Sequence, residues 1–483
     1  MHPRENRRPP ACLLASSLPP PPCRAPAMSQ ARQRSAPISA GAATKPAAKP
    51  TTKVAQRTVP NDFGGPIGTG SLIVLLPVIV ASLYLFCNEE VGCSMFPTGG
   101  LSALSAAART SIDSFMAKAS WESFGTAWAI ILGWFGFHVL LHYVLPGPVR
   151  KGIINDDGSQ LSYRMNGMAE FFVSIGAVLA AHYVGIFDLT YLYREFAMLA
   201  VVAGIFAFLL AIYSYVYSVS VDCLKSHNGN SGVFIYDFFM GHALTPRLFG
   251  LDIKFFCEQR PGLIGWVVLD IACLLQQYRT FGAVTPGMAL VTFLHGFYVF
   301  DTFLFEEAVL TTVDITTDGF GFMLSFGDLC WVPFTYSLQA RFLAFAPESL
   351  SNIYYLVCLV VGVAGYLIFR FSNLEKHYFR HHPDHPRSKA LKFMPTKSGS
   401  RLIISGWWGI ARHINYFGDW VLGLAQCMAT GYTHIIPYFF AFYFAGLLLH
   451  RERRDEAKCS AKYTDDWDRY CKLVPSRIIP GIY

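Results

Sequence analysis

Residues 405–420, SGWWGIARHINYFGDW, crowd three tryptophans, an arginine, a histidine, an asparagine and an aspartate just ahead of a long apolar run. On a helix, Arg412, Asn415, Tyr416 and Asp419 recur at i, i+3, i+4 and i+7 and share one face. The C-terminal tail repeats the pattern. Asp455, Cys459, Lys462, Tyr463 and Tyr470 fall near one face of a second amphipathic helix. Lys376 and Arg380 stand one turn apart at the end of a third apolar run. Helix ends, paired cations, ring faces and amides at one membrane level suit a planar ligand that carries phosphate. Taken singly, basic residues flank membrane helices for topology, and Trp and Tyr form interfacial belts. Three converging faces ask for more than that.

A second constellation lies in residues 295–336, HGFYVFDTFLFEEAVLTTVDITTDGFGFMLSFGDLCWVPFTY. Tyr298 and Asp301 are one turn apart in an apolar helix, and Glu306, Glu307, Asp314, Asp318 and Asp328 follow. Acidic side chains this dense beside membrane spans are costly unless paired or lining a cavity. The 306–318 set reads either as an exposed loop or as part of a polar site. Tyr298 and Asp301 lie deeper. They form either a hydrogen bond within the bundle or a proton donor facing an apolar cavity, where a desolvated carboxyl keeps its proton. Lys254, Glu258 and Arg260 stand just before Pro261 and read as a turn with helix-start chemistry. The four histidines of KHYFRHHPDHP (376–386) have no standard ligand spacing and prolines break the run, so no metal site is expected. GGPIGTG (64–70) is a linker, and no GxGxxG follows a strand.

The elements that must position these groups are membrane helices. The 483 residues are 53% hydrophobic and only 15% charged, against about a quarter charged in a soluble protein. Apolar runs fall near 71–88, 124–145, 168–187, 195–220, 262–278, 284–305, 319–346, 352–371, 416–432 and 433–450. The fold class is all-α, a polytopic bundle of about ten spans, the last two forming a hairpin. Lys376, Arg380, Arg387, Lys389, Lys392, Lys397 and Arg401 in the loop after the eighth run place that loop in the cytosol, and the basic tail after 450 belongs on the same side. Residues 1–62 form a Pro/Ala-rich basic tail that is expected to be disordered, and Met28 is compatible with being the true start. The domain proper runs over 63–483, with its cofactor half at about 350–483. The twelve cysteines show no CxxC pair and read as buried, reduced thiols.

Four long motifs carry a resemblance: DIKFFCEQRPGLIGW (252–266), VDITTDGFGFMLSFGDLCWVPFTYSLQA (313–340), SGWWGIARHINYFGDW and the closing KYTDDWDRYCKLVPSRIIPGIY (462–483). From about residue 65 to the end, the chain resembles the membrane sterol reductases. The first two motifs favour the delta-14 branch, whose core the lamin B receptor shares, over the delta-7 branch. The resemblance implies a ten-span bundle of the endoplasmic reticulum membrane and the contiguous nuclear envelope. It implies a cytosol-facing NADPH pocket and a neighbouring cavity that takes a sterol from the bilayer. By motif match the cofactor positions fall on Lys376, Arg380, Ile403, Trp408, Asn415, Tyr416, Asp455, Cys459, Ser460, Ala461, Lys462, Tyr463 and Tyr470. Lys376 and Arg380 would grip the 2′-phosphate.

The resemblance places Tyr298 and Asp455 near the reacting double bond. The implied reaction protonates carbon 15 of an 8,14-dienol sterol and delivers hydride to the carbon-14 cation. Tyr298 is the expected acid and Asp301 its support. The chain departs from the family pattern at Ile414, where proline is usual, and at Ala243 and Thr245 in a loop that usually carries polar groups. Neither a partner protein nor an oligomeric state is legible, and no nucleic-acid binding is expected. Three rivals stand beside this reading. A delta-7 sterol reductase shares the chemistry. A non-catalytic sterol-binding scaffold of the nuclear envelope would leave the cofactor positions idle. A methyltransferase of the isoprenylcysteine type would leave Lys376 and Arg380 without a phosphate.

Overall fold

The structure is a computed structural model that describes residues 62–94, 99–155 and 157–483. The expected basic tail therefore lies outside the described residues, apart from its last residue. Helices dominate, with four two-stranded antiparallel hairpins between them. Among the described residues, six helices are long and apolar enough to cross a membrane: Asp62–Leu85, Trp121–Val144, Phe196–Ser220, Ile253–Phe281, Pro286–Leu304 and Asn352–His381. Gly167–Tyr183 is a shorter apolar helix. Their burial sorts them. Only 11% of the apolar window of Asp62–Leu85 is buried against 61% of Ile253–Phe281, so the first turns its side chains outward and the second is the centre of the bundle. Val74, Val78, Phe208, Val216, Leu356 and Val360 are exposed, as lipid-facing side chains are.

Three expected spans take a different form. The 319–346 run is not one helix. It is Phe322–Phe326, a π-helical turn Gly327–Trp331, then Val332–Tyr336 and Leu338–Phe345. Pro333 has no N–H for the carbonyl four residues back, and a wider turn absorbs that loss. The 416–432 and 433–450 runs become Ile414–Met428 and Phe439–Tyr463, and the second carries its polar face far past the apolar part. A helix over Gly100–Lys118 is added where the sequence is alanine-rich but too polar to read as a span.

The tightest helix contact joins Asn352–His381 to Ile414–Met428. It needs glycine on both sides. A Cβ on Gly418 would lie 2.4 Å from the Phe369 nitrogen, and one on Gly365 would lie 2.5 Å from the Leu422 nitrogen. The two backbones touch there, one to two turns from Asn373 and Lys376 on one helix and one turn from Asn415 on the other.

One expectation about cysteine is corrected. Cys87 and Cys93 form a disulfide across the short hairpin Cys87–Asn88 and Gly92–Cys93, both buried. The opposed strands bring the two side chains together, which spacing alone did not signal. Cys257, Cys273, Cys330, Cys358 and Cys427 are buried free thiols, as expected.

Candidate functional site

Ser351 caps the helix Asn352–His381, its hydroxyl accepting from the Tyr354 N–H at 3.2 Å. The helix then runs unbroken past its apolar part to Asn373, Glu375, Lys376 and Arg380. The hairpin Phe393–Pro395 and Arg401–Ile403 returns the chain to a 3₁₀ turn, Gly406–Gly409, which is tied to this helix twice. Trp407 N–H donates to Glu375 Oε1 at 2.9 Å, and Trp408 Nε1 donates to the Ser372 carbonyl at 2.8 Å. Trp408 thereby presents its ring to Lys376, whose Nζ lies 3.9 Å from the ring centre. Ile403 is buried behind it, packed with Phe379 and Trp408. Lys376 makes no ion pair among the described residues; Arg380, Asp455 and Cys459 act on it by charge.

The helix Ile414–Met428 supplies the next side of the site. Asn415 Nδ2 donates to Asn373 Oδ1 at 3.3 Å, while Asn415 Oδ1 is buried with no partner. The Tyr416 hydroxyl donates to Asp455 Oδ2 at 3.0 Å and its ring stacks on His413 at 4.9 Å. Burial, helped by the nearby Lys376 and Arg412 cations and opposed by Asp455, pushes His413 down to about 4. His413 is therefore neutral near pH 7, and Lys376 and Arg380 are left as the cations on offer.

The third side is the C-terminal helix and its tail. Asp455 and Cys459 face the site, and burial with Asp455 nearby pushes the Cys459 thiol up. Tyr470 is buried, 5.2 Å from the Trp467 ring and packed with Met394 and Val474, and that burial raises its hydroxyl. Tyr463 joins this cluster from the side, with Lys462 5.0 Å from its ring. Ser460, Ala461 and Lys462 are exposed in the last turns of the helix.

Arg412 departs from the face on which the sequence puts it. The helix begins at Ile414, so helical spacing does not reach back to it. Its N–H and guanidinium bind the Ser476 and Val474 carbonyls at 2.9 and 3.0 Å, and the guanidinium meets Glu456 at 3.5 Å. Arg412 staples the tail to the bundle. An anion-sized set remains: a lysine without a counter-ion, an exposed arginine, an orphaned amide oxygen and two ring faces. That set fits a phosphate-bearing, aromatic cofactor.

Next to it sits the Tyr298 group. Tyr298 is half-buried on Pro286–Leu304, its ring 6.0 Å from Trp266 and in the same apolar cluster as Tyr336. Trp266 is held by its Nε1 on His295 at 3.2 Å, and His295 meets Asp270 at 2.8 Å, all three deeply buried. Asp419 and Asp301 act on the Tyr298 hydroxyl by charge. Asp301 is not the lone desolvated acid expected of it. Arg370 pairs with its Oδ2 and the Tyr366 hydroxyl donates to its Oδ1 at 2.9 Å, because the neighbouring helix aims a tyrosine and an arginine one turn apart at that carboxylate. The two groups adjoin through Asp419, which is one turn from Tyr416, and through Arg451, which acts on both.

The acids of the 306–318 set are bound structure rather than an open loop. Asp318 and Glu306 are buried. Asp318 pairs with Arg454 at 2.8 Å, Asp314 with Arg451 at 2.5 Å and Glu306 with Arg260 at 2.5 Å. Lys254 is fully buried, its Nζ donating to the carbonyls of Asp314, Ile315 and Asp318 at 2.7–2.8 Å. Glu307 alone stays exposed, on Arg150. Pro261 opens its helix as expected, but Lys254 and Arg260 are not turn residues in water.

Large apolar cavities among the described residues include two of about 430 and 650 Å³. Neither is lined by Tyr298 or by the cofactor positions. The first uses Pro261, Gly265 and Leu269, on the helix that carries Trp266. Sequence reasoning missed Asn373, Glu375, His413 and Arg451 in the site. Asn373 is one turn before Lys376, and Arg451 is one turn before Asp455, so each follows from extending a face already drawn.

The sequence model of the Ergosterol biosynthesis ERG4/ERG24 family matches residues 57–483. The chain is 43% identical to Delta(14)-sterol reductase erg24 of Schizosaccharomyces pombe, over 87% of this chain and 97% of that protein. It is 39% identical to Delta(14)-sterol reductase ERG24 of Candida albicans, over 90% of this chain and 100% of that protein. Delta(14)-sterol reductase LBR of Gallus gallus is 42% identical over 89% of this chain and 65% of its own length.

Proposed function

This chain belongs to the Ergosterol biosynthesis ERG4/ERG24 family, and from that premise we propose that it reduces the 14-double bond of 8,14-dienol sterols with NADPH. It does so as a ten-span protein of the endoplasmic reticulum membrane, its cofactor pocket facing the cytosol within the domain of residues 63–483. The observation that carries this reading is Lys376. It lies over the Trp408 ring with no ion pair among the described residues, and Asp455, which holds the Tyr416 hydroxyl, acts on it by charge. The relatives named as delta-14 reductases favour that double bond over the 7-double bond.

In this reading Lys376 and Arg380 hold the 2′-phosphate, as a point charge and a planar fork do. Ile403, Trp408, Asn415, Tyr416, Asp455, the 459–463 turn and Tyr470 hold the rest of the cofactor, which when bound supplies hydride. Asp455 fixes the Tyr416 ring through its hydrogen bond, so the wall of the pocket is set before the cofactor arrives. Tyr298 gives its proton to carbon 15 of the sterol, leaving a cation at carbon 14. The rings of Trp266 and Tyr336 stand 5.3 Å apart beside Tyr298 and offer that cation their faces. Excluding water preserves the cation and strengthens each of these contacts.

The test uses purified full-length protein in detergent with NADPH, given an 8,14-dienol or a 5,7-dienol sterol, with product followed by gas chromatography and mass detection. Loss of the 14-double bond alone is the expected result. Lys376→Ala should weaken NADPH binding roughly tenfold to a hundredfold, the worth of one charge-assisted hydrogen bond, and weaken NADH binding far less. Reduction of the 5,7-diene instead would overturn the substrate, and absence of NADPH binding would overturn the enzyme reading.

A further inference from the structure

A polar layer crosses the bundle just beyond the Tyr298 group. Asp270 follows Trp266 by four residues, His295 precedes Tyr298 by three, Gln339 follows Tyr336 by three and Gln426 follows Asp419 by seven. Two apolar clusters bracket these side chains. On one side Trp266, Tyr298 and Tyr336 pack together. On the other, Cys273, Val291, Leu338 and Ala429 pack with the Cys87–Cys93 pair. The layer is tied across helices. His295 Nδ1 lies 2.8 Å from Asp270 Oδ2 and 3.2 Å from Trp266 Nε1, and Gln339 Nε2 donates to Cys427 Sγ at 3.3 Å. All four side chains are fully buried. Yet Asp270 Oδ1, His295 Nε2, Gln339 Oε1 and both amide atoms of Gln426 have no hydrogen-bond partner among the described residues. Buried polar atoms in folded proteins are paired, and several left open at one depth form a receptor for a small polar group.

Resting on the reading that Tyr298 meets the 14-double bond, we propose that this layer receives the 3β-hydroxyl of the sterol and makes the protein selective for sterols that carry it free. The fused rings of the sterol nucleus separate carbon 15 from that hydroxyl. One to two helical turns, about 5–11 Å, separate the Tyr298 group from the layer, a span of the same scale as those rings. A hydroxyl donates one hydrogen bond and accepts others. Asp270 Oδ1 and Gln339 Oε1 are acceptors for its proton, and Gln426 Nε2 is a donor to its oxygen. His295 Nδ1 faces both Asp270 and Trp266, so Nε2 holds a proton in one tautomer and a lone pair in the other, and a hydroxyl answers either. The layer also reaches the reacting end. His295 holds Trp266 by its Nε1, and the Trp266 ring stands 6.0 Å from that of Tyr298. Seating the hydroxyl and setting the wall beside the double bond are therefore one arrangement. No bond is made or broken in the layer.

The test compares turnover of an 8,14-dienol bearing the 3β-hydroxyl with that of its 3-deoxy analogue, by full-length protein in detergent with NADPH. A site built to hydrogen-bond a substrate hydroxyl rejects the analogue that lacks it, so wild type should prefer the 3β-alcohol about a hundredfold or more in kcat/KM. Asp270→Leu with His295→Leu removes both members of the pair, so neither is left buried alone. That double variant should lose about tenfold or more in kcat/KM on the 3β-alcohol and stay within about threefold of wild type on the 3-deoxy analogue, with NADPH affinity unchanged. A purely structural layer would lower both substrates alike. Such a parallel loss overturns the proposal, as does wild-type protein that reduces the two substrates equally well. Should the double variant fail to fold, Gln339→Leu with Gln426→Leu takes its place: a shrunken preference for the 3β-alcohol supports the proposal and an unchanged one overturns it. Wild-type protein that binds NADPH but leaves both dienes intact overturns the Tyr298 reading itself, and this proposal with it.

Discussion

Asp301 shows what one residue type allows and what only packing decides. In the sequence it is an acid one turn from Tyr298 in an apolar helix, and both an acid–base role and a simple structural bond are open to it. Tyr366 and Arg370 come from a helix some sixty residues later, and no local pattern announces them. Paired this way, Asp301 sets the position of the Tyr298 helix against the Lys376 helix. Asp301→Ala strands the Arg370 guanidinium and should cost about 3–5 kcal/mol of stability, the penalty of an uncompensated buried charge. Asp301→Leu with Arg370→Met, which removes both charges, should recover most of it. Thermal unfolding in detergent measures this, and equal losses in the single and double variants would show that the pair is not coupled. The positions expected to hold the cofactor were more legible as a cluster. Lys376 meets the Trp408 ring, Asn415 meets Asn373 and Tyr416 meets Asp455, because each sits on a regular helix or a turn tied to one. Arg412 did not, because one residue of non-helical chain separates it from its face.

At the scale of elements, the helices were read from uninterrupted apolar runs, and that signal held where nothing broke the backbone. It failed at Pro333, where a π turn replaces a straight span. It also missed Gly100–Lys118, whose composition is helical but not membranous. The contact that sets Asn415 against Asn373 was not legible, because glycine in an apolar run looks like any small residue until its neighbour is known. Gly418 lies one turn from Asn415 and faces backbone, not side chain, so nothing flexible is there to yield. Gly418→Ala places a methyl 2.4 Å from the Phe369 nitrogen and must force the two helices apart. Overpacking of this kind costs about 1–3 kcal/mol. Asn415 and Tyr416 would then move away from Asn373 and Lys376, so NADPH affinity should fall together with stability. Alanine at the outward-facing Gly446, where a Cβ meets nothing within 4 Å, should leave both unchanged. Paired binding and unfolding measurements on the two variants separate a pocket effect from a general one.

For the whole molecule, the disulfide and the basic loops give two independent readings of which end faces which compartment. The helix Asn352–His381 has 30 residues, about 45 Å of rise. Its C-terminal end carries Lys376 and Arg380 and leads into the lysine- and arginine-rich loop. Its N-terminal end follows Glu348, which accepts from Thr433 at 2.6 Å, and the adjacent His434 bonds the Cys93 carbonyl. The Cys87–Cys93 bond therefore lies at the end of the bundle opposite the cationic site. Disulfides persist in oxidising compartments such as the reticulum lumen, and positive loops stay in the cytosol. Both criteria orient the chain the same way, with the Lys376 end toward the cytosol, as the proposed nucleotide cofactor requires. In sealed microsomes with the cytosolic face outward, Ser398→Cys in the basic hairpin should react with a membrane-impermeant maleimide, above the labelling of the parent chain. Ser102→Cys, on the helix that follows the disulfide hairpin, should react only after the membrane is permeabilised. Labelling of Ser102→Cys in intact vesicles would reverse the orientation, put the disulfide in the reducing compartment and deny the Lys376 pocket its cytosolic cofactor.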